Sequence, residues 1–142
     1  MANSVCEIAL LAERLSTKGG ASPGGAGAVV EFRGIVRPLE RGQPLRGIEY
    51  EAHQRMAEHQ LRTISQEAIV LFNLFTVKIE HRVGYVPVGE TSLYLRISSA
   101  HRGEGFAASK WIVDELKKRV PIWKNPIFQL AGKKMEKASV TA

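Results

Sequence analysis

The sequence has a single cysteine, Cys6, and lacks long apolar runs and paired metal-ligand motifs. One cysteine excludes an internal disulfide and a metal centre built from several thiolates. The absence of a disulfide framework is typical of proteins from reducing compartments. The longest apolar stretches span only a few residues, which is too short for a helix that crosses a membrane. We therefore expect a cytoplasmic protein that forms one domain over residues 1–142.

The four histidines do not have the spacing of a metal site. His53 and His59 are six residues apart, which is about 240° around a helix, so they would lie on different faces. No His-x-x-x-His pair occurs, and we expect neither a bound metal nor another cofactor. No nucleophile-elbow motif is visible either. A Ser-His-Asp arrangement stays open, because only folding brings its members together.

Positive charge is concentrated in the last third of the chain. Residues 1–100 contain 11 Lys/Arg and 10 Asp/Glu, whereas residues 101–142 contain 9 and 4, a balance of +5 out of a total of +6. A local positive field attracts phosphates, nucleic acids or acidic protein surfaces. A solvated basic surface with a disordered tail is the alternative that charge alone leaves open.

Hydrophobic periodicity predicts an α+β fold. Apolar residues recur at helical spacing in three segments and alternate with polar residues in four others. The predicted helices cover residues 4–18, 54–74 and 103–119, and the predicted strands cover 28–37, 47–53, 75–83 and 91–99. This order favours a mostly antiparallel sheet. Residues 19–27 are predicted to be a glycine-rich loop, and residues 38–46 a polar loop with two prolines.

One strand carries a polar residue on its apolar face. In the segment 75–83, His81 alternates in step with Val77 and Ile79. Side chains two residues apart in a strand point to the same side of the sheet. The pattern therefore predicts that His81 points toward the apolar side.

Cationic side chains stand at the ends of two predicted strands. Arg37 ends the first strand just before Pro38, and His101 and Arg102 follow the strand at 91–99. If these strand ends converge, the three side chains line one rim, where arginine suits bidentate contact with phosphate or carboxylate. An ordinary solvated position is the alternative for each of them taken singly.

The last predicted helix ends in a cationic cluster that includes Lys117. The helix macrodipole favours the ammonium form of Lys117, whereas neighbouring cations such as Lys118 disfavour it. A neutral Lys117 can act as a base or an amine nucleophile, and a charged one as a clamp; the sequence leaves both open. Beyond the helix, Trp123 is predicted to be an apolar anchor beside Lys124.

Four separated segments of the chain match one family. In chain order they are AVVEFRGIVR, IEYEAHQRMAE, IEHRVGYVPVGE and SSAHRGEGFAASKWIVDELKKRVPIWK. Their order and spacing resemble the catalytic (large) subunit of molybdopterin synthase over about residues 26–125. Because the resemblance rests on several separated motifs, it is highly specific.

The resemblance implies a fold, a reaction and partners. Members of that family have an α/β-hammerhead fold and are sulfurtransferases that convert cyclic pyranopterin monophosphate into molybdopterin by installing its two dithiolene sulfurs. The sulfur comes from a small ubiquitin-like subunit whose C-terminal Gly-Gly tail carries a thiocarboxylate. Two large subunits form a homodimer at the centre of a heterotetramer. The resemblance therefore implies a pterin substrate, a sulfur-carrier partner and a second copy of this chain, without nucleic acid or membrane.

The functional residues of the family carry over by position. The resemblance assigns catalysis to Lys117 and Lys124, which would place and activate the thiocarboxylate and its acyl intermediate. It assigns the phosphate and the pterin to a set that precedes these lysines in the chain, namely Ile35, Val36, Arg37, His101 and Arg102.

Asn125 and Pro126 depart from the family pattern. Family members usually follow PIWK with a basic residue and then a glutamate. Both positions belong to the substrate-binding set by alignment, although this chain lacks the glutamate there. Residues 126–142 form a tail that is expected to be flexible or to lie at the dimer interface.

Two alternative functions stay open. A basic module that binds RNA or DNA would need exposed aromatic side chains among its cations, whereas Phe32, Tyr50 and Trp111 fall at core-periodic positions. The chain also has no RRM, KH or helix-turn-helix signature. The other alternative is a family member that lost catalysis and only binds the ubiquitin-like partner; the change at residues 125–126 favours it.

Overall fold

The computed structural model describes residues 5–19, 22–129 and 140–141. These residues include two helices, α1 (Gln54–Phe72) and α2 (Arg102–Arg119). The strands in chain order are β1 (Val5–Leu11), β2 (Ala28–Ile35), β3 (Leu39–Glu40), β4 (Gln43–Ala52), β5 (Leu74–Arg82), β6 (Gly84–Pro87), β7 (Thr91–Ser99), β8 (Ile122–Phe128) and β9 (Val140–Thr141). Neither helix in this part of the chain has the length and apolarity that a membrane span requires.

A four-stranded sheet carries its strands in the order β1-β5-β7-β2. Strands β5 and β2 both pair antiparallel with β7, and β1 pairs parallel with β5. The register sets Ala28 opposite Ser99, and Ile35 opposite Thr91 across an irregularity after Gly34. The C-terminal ends of β2 and β7 therefore lie at opposite ends of this sheet.

A second, fully antiparallel sheet is organised around β4, which pairs with β3, β6 and β8. Its register sets Tyr50 of β4 opposite Lys124 of β8. At Gly47 an added β-carbon would lie 2.5 Å from the carbonyl oxygen of Val86, so glycine is needed where β6 approaches β4. The pairing of β4 with β8 thus sets a lysine opposite a tyrosine.

The hydrophobic core lies between the helices and the four-stranded sheet. Helix α1 packs on β1 and β5, α2 packs on β2 and β7, and the two helices contact each other. Leu61, Ile64 and Ile112 of the helices are fully buried, as are Ile79 and Ile97 of the sheet. Burying a side chain of this size contributes roughly 1.5–3 kcal/mol, so this layer is the main source of stability.

Helix α1 is capped by a polar residue at each end. At its N-terminus, Nδ1 of His53 accepts a hydrogen bond from the backbone N–H of Met56 (3.3 Å). At its C-terminus, Asn73 adopts a left-handed conformation with φ of 54°. Asparagine is a residue type that favours the left-handed position after a helix, so α1 ends at Phe72, two residues before the predicted end, while its start agrees with the prediction.

The prediction of a helix at residues 4–18 is wrong, and the described part of the chain has two helices rather than the predicted three. Strand β1 forms there instead. The spacing of Val5, Ile8 and Leu11 fits a helix, but Ile8 and Leu10 also alternate, and both pack against the core. Pairing with β5, distant in sequence, decides between the two patterns. The predicted α+β class with a mostly antiparallel sheet is confirmed.

The polar loop predicted at 38–46 contains a hairpin. Strands β3 and β4 meet at a two-residue turn in which Arg41 and Gly42 have φ of 53° and 75°. Turns of this kind require positive φ at both positions, and glycine adopts it without steric cost. The hairpin turns the chain back on itself and sets Glu40 opposite Gln43.

Part of the predicted C-terminal tail belongs to the second sheet. Strand β8 continues to Phe128, so residues 126–128 of the tail are paired with β4. Strand β9 pairs its backbone with β8, and Trp123 lies opposite Thr141 in the register. Residues 130–139, which make up most of the tail, lie outside the described residues.

Candidate anion-binding site

A cavity of about 290 Å³ lies between the C-terminal end of β2, the start of β7, strands β4 and β8, and the C-terminal half of α2. Its lining combines charged, neutral polar and apolar side chains. The charged residues are Arg37, Glu40, Lys117 and Lys124, and the neutral polar residues are Tyr50, His81 and Ser92. The apolar residues include Phe32, Ile35, Val36 and Leu116. This composition suits a ligand that has an anionic group on an otherwise uncharged body.

Arg37 is held at the mouth of the cavity by the backbone that precedes it. The N–H of Val36 donates to the carbonyl oxygen of Glu90 (3.1 Å), and the N–H of Gly89 donates to the carbonyl oxygen of Val36 (2.9 Å). The Val36 side chain is buried, whereas the Arg37 side chain is 75% exposed. The backbone is therefore fixed, and the guanidinium stays accessible to a ligand.

Lys117 lies in the last turn of α2, which is tied to α1. The guanidinium of Arg119 donates to both carboxylate oxygens of Glu67 on α1 (2.9 and 3.2 Å) and to Glu115 (3.2 Å). Lys118 turns away from the cavity to Glu115 (3.4 Å). Within the described part of the chain, no carboxylate lies within 4.0 Å of Lys117, so its ammonium is available to a bound anion.

Lys124 enters the cavity from β8 and shares a carboxylate with Arg37. Its Nζ lies 4.0 Å from Oε1 of Glu40, and Nη2 of Arg37 lies 3.6 Å from Oε2. Both distances exceed the roughly 2.8 Å of a charge-assisted hydrogen bond, so Glu40 holds the two cations loosely. Among the described residues that line the cavity, three cations thus face one carboxylate.

The floor of the cavity is uncharged. His81 is 3% exposed, and its Nδ1 lies 2.8 Å from the carbonyl oxygen of Arg82. Burial lowers the pKa of His81 to about 4, although the bond to the Arg82 carbonyl partly opposes the shift. Burial also raises the pKa of Tyr50, opposed in part by its hydrogen bond with Ser92. At neutral pH both rings are therefore neutral.

His101 and Arg102 do not share a rim with Arg37 within one copy of the chain. They follow β7, whereas Arg37 follows β2, and the antiparallel register puts those ends about 25 Å apart. The two residues line a separate open pocket with Gly27 and Glu104, and the His101 side chain is 82% exposed. The strand ends do not converge because the two strands run in opposite directions.

Asn125 and Pro126 are not among the side chains that line the cavity. Asn125 is buried, and its Nδ2 donates to Oε1 of Glu51 (2.8 Å). Side chains alternate along β8, so Asn125 faces away from the side that Lys124 occupies. The prediction that Trp123 is an apolar anchor is wrong, because its side chain is 42% exposed.

Glu40, Tyr50 and Ser92 line the cavity, although no pattern in the sequence marks them as site residues. Glu40 lies in a segment predicted to be a loop, and only the hairpin directs it inward. The strand period predicts that Tyr50 belongs to the core, and its side chain is buried. The prediction that His81 points to the apolar side is confirmed; a polar residue on an apolar face was the signal that could have marked it.

The fold and the site first define a class, namely an α+β protein with a cation-lined cavity. The profile of the family described as MoaE protein matches residues 5–119, and the chain belongs to that family. The molybdopterin synthase catalytic subunit of Arabidopsis thaliana is 40% identical over 103 residues, which is 72% of this chain and 52% of that protein. The molybdopterin synthase catalytic subunit of Thermoplasma volcanium is 40% identical over 104 residues, or 73% and 76%. The chain therefore spans about half the length of the plant relative.

Solved structures show the same fold. A molybdopterin synthase structure from Staphylococcus aureus matches with a TM-score of 0.79 and 30% identity, over 89% of this chain and 94% of that chain. A protein-protein complex of subunits 1 and 2 of molybdopterin-converting factor from Helicobacter pylori matches with a TM-score of 0.64 over 80% and 73%. Its identity is 22%, so that likeness concerns the fold alone. The family predicted from four sequence segments is confirmed.

Proposed function

We propose that this chain is the catalytic subunit of a molybdopterin synthase. It would move sulfur from the thiocarboxylated C-terminus of a small ubiquitin-like subunit to cyclic pyranopterin monophosphate. The observation that carries the proposal is the cavity in which Arg37, Lys117 and Lys124 face a single carboxylate. Both reactants are anions, and relatives at 40% identity that bear the name molybdopterin synthase catalytic subunit support this reaction.

In this proposal Lys117 and Lys124 act on the thiocarboxylate, and Arg37 with the backbone of Ile35 and Val36 binds the pterin substrate. Two ammonium groups near one acyl carbon stabilise negative charge that develops there during transfer. Sulfur forms a bond to a pterin carbon whose bond to oxygen breaks, and the oxygen leaves with the electron pair. Water then attacks the acyl carbon, the bond from that carbon to sulfur breaks, and the tail is released as a carboxylate. Two tails supply the two sulfurs of the dithiolene.

The position of Cys6 supports an external source of sulfur. Cys6 is the only cysteine of the chain and lies on β1, opposite Val77 of β5. It does not line the cavity. One thiol outside the site is a poor donor for two sulfur atoms in each turnover, so a sulfur-carrier partner fits the chain better.

A second copy of the chain would complete the site. His101 and Arg102 lie about 25 Å from Arg37 in the same copy, so they cannot contact a ligand in that copy's cavity. In a two-fold dimer, each copy presents its own pair to its neighbour. We assign the binding of substrate by His101 and Arg102 to the neighbouring copy of a homodimer.

One observation favours a second candidate, which is binding of the ubiquitin-like subunit without catalysis. The chain has Asn125 and Pro126 where the family pattern has a basic residue and a glutamate, and both side chains are buried in β8. In this candidate the cavity holds the tail of the partner but does not release its sulfur. Turnover by the unmodified chain excludes it.

A matched pair of lysines tests the proposed function. With the thiocarboxylated subunit and the pterin substrate, Lys117→Ala should lower turnover by about 100-fold or more, because it removes a cation from the reacting group. Lys118→Ala should stay within about twofold of the unmodified chain, since Lys118 is 71% exposed and turns to Glu115. Near-normal turnover by the Lys117 variant would contradict the assignment.

A further inference from the structure

His81 is a buried polar side chain of the cavity to which the proposed reaction gives no role. It lies near the end of β5, 3% exposed, in a row with Val77 and Ile79, which are fully buried apolar residues. Unlike them, it lines the cavity that also contains Lys117 and Lys124. A polar ring at the inner end of a cation-lined cavity is in a position to contact the ligand.

The hydrogen bonding of His81 fixes which ring nitrogen carries the proton. A carbonyl oxygen can only accept, so Nδ1, at 2.8 Å from the Arg82 oxygen, is the donor. The neutral ring then has a lone pair on Nε2. The edge contact with Tyr50, with ring centroids 5.1 Å apart and planes at 74°, holds the orientation of the imidazole.

Nε2 of His81 has no hydrogen-bond partner within the described part of the chain. Nε2 is not among the fully buried atoms that lack a partner, so it is open to the cavity, where a water or a ligand can donate to it. Arginine and lysine can donate to such an acceptor, but no cation of the lining has a hydrogen bond to Nε2 in the described part of the chain. Glu40, the carboxylate of the lining, faces Arg37 and Lys124.

We infer that His81 is a binding residue of this cavity, whose Nε2 accepts a hydrogen bond from an N–H group of the ligand. The inference rests on the proposed function, in which both reactants have such groups: the pterin ring carries N–H donors, and the Gly-Gly tail carries peptide N–H donors. The cations then recognise the anionic group of the ligand, and His81 recognises its uncharged part. Burial supports this role because it keeps the ring neutral, and a protonated ring would be a donor.

Two substitutions of His81 distinguish the role of Nε2 from that of Nδ1. In His81→Asn, the side-chain amide reaches the position of Nδ1 but leaves no acceptor at Nε2. In His81→Gln, the longer amide places an oxygen near Nε2. His59→Asn is the control, because His59 is an exposed residue of α1 outside the cavity. Affinities are measured by calorimetry for the subunit with an ordinary carboxylate tail and, separately, for cyclic pyranopterin monophosphate.

We expect His81→Asn to weaken one of the two ligands by about fivefold to tenfold, the usual effect of one lost hydrogen bond, and His81→Gln to stay within about threefold of the unmodified chain. Loss for the subunit alone identifies a peptide N–H as the donor, and loss for the pterin alone identifies a ring N–H. Unchanged affinity of the Asn variant for both ligands overturns the inference, as does equal loss in both variants. Turnover of the unmodified chain is measured in the same preparation, and its absence overturns the proposed function instead.

Discussion

At the scale of single residues, burial of His81 couples the stability of the fold to pH. Its pKa is about 4 in the folded chain and 6.5 in an exposed histidine. Between these values the unfolded chain binds more protons at this position than the folded chain does. Stability therefore rises with pH across this window: the contribution of His81 is complete above pH 6.5 and is lost as the pH falls toward 4.

Substitution of His81 should remove this part of the pH dependence. Between pH 7 and pH 5, the free energy of unfolding of the unmodified chain should fall by about 2 kcal/mol more than that of His81→Gln. Urea denaturation at both pH values, at equal protein concentration, measures the difference. Carboxylates titrate in both proteins, so their contribution to the change in the free energy of unfolding cancels when the two proteins are compared. Parallel losses in the two proteins would show that His81 is not the group responsible.

The individual residues also show how far sequence reasoning about the site can reach. The position of His81 on an apolar face followed from the two-residue period of a strand. That period gives a direction relative to the sheet, and it does not say what lies above the sheet. Tyr50, Ser92 and Glu40 become part of one cavity only after six strands and a helix have been assembled.

At the scale of elements, the position of Lys117 depends on how closely α2 approaches β2. Gly105 is the contact point: a β-carbon there would lie 2.9 Å from Cγ2 of Val30 and 3.1 Å from Oγ of Ser99. Gly103, two residues closer to the start of the same helix, has no atom within 4 Å of its β-carbon position. A methyl group at Gly105 would therefore press on the sheet, whereas a methyl group at Gly103 would lie in open space.

Alanine at these two positions should act in opposite directions. Gly105→Ala should lower the free energy of unfolding by about 1–3 kcal/mol, because the helix has to move away from the sheet. Gly103→Ala should leave it unchanged or raise it by up to about 1 kcal/mol, because alanine favours the helical backbone. Urea denaturation of both variants checks the pair. A neutral Gly105→Ala would mean that the contact with Val30 is not tight.

Elements with strong local signals were predicted well, and those that depend on distant partners were not. The strand predicted at 91–99 has the observed bounds of β7, and α2 begins one residue before its predicted start. The apolar spacing of β1 fits both periods and predicts a helix, whereas pairing with β5 selects the strand. Strand β8 was missed because PIWKNP has no alternation, and β4 provides its pairing.

At the scale of the whole molecule, the direction of the strands separates the cations into two groups. Arg37, Lys117 and Lys124 line one cavity, and His101 and Arg102 lie at the other end of the four-stranded sheet. The sequence and its resemblance to a family selected all five residues. Their separation follows from antiparallel pairing of β2 with β7, which one strand alone does not specify. A dimer would be the means of bringing the two groups together.

Mixed dimers test this arrangement. The mixed dimer has one chain with Lys117→Ala and one chain with Arg102→Ala. Because each shared site would combine Lys117 of one chain with Arg102 of the other, one site would carry both changes and the other site would carry neither. Turnover per dimer should therefore recover to about half that of the unmodified protein. The mixed dimer is isolated with two different affinity tags, and the two homodimers serve as controls. If each site used residues of one copy only, the mixed dimer would be no more active than its parents.

The most direct test of the proposed function is a transfer experiment with labelled sulfur. The purified chain is mixed with the ubiquitin-like subunit, whose thiocarboxylate carries a heavy sulfur isotope, and with cyclic pyranopterin monophosphate. Mass spectrometry of the pterin should show a product with two heavy sulfur atoms, and the tail of the subunit should become a carboxylate. An unchanged pterin, with the subunit bound and its thiocarboxylate intact, would contradict the proposal and identify the chain as a binding protein without transfer activity.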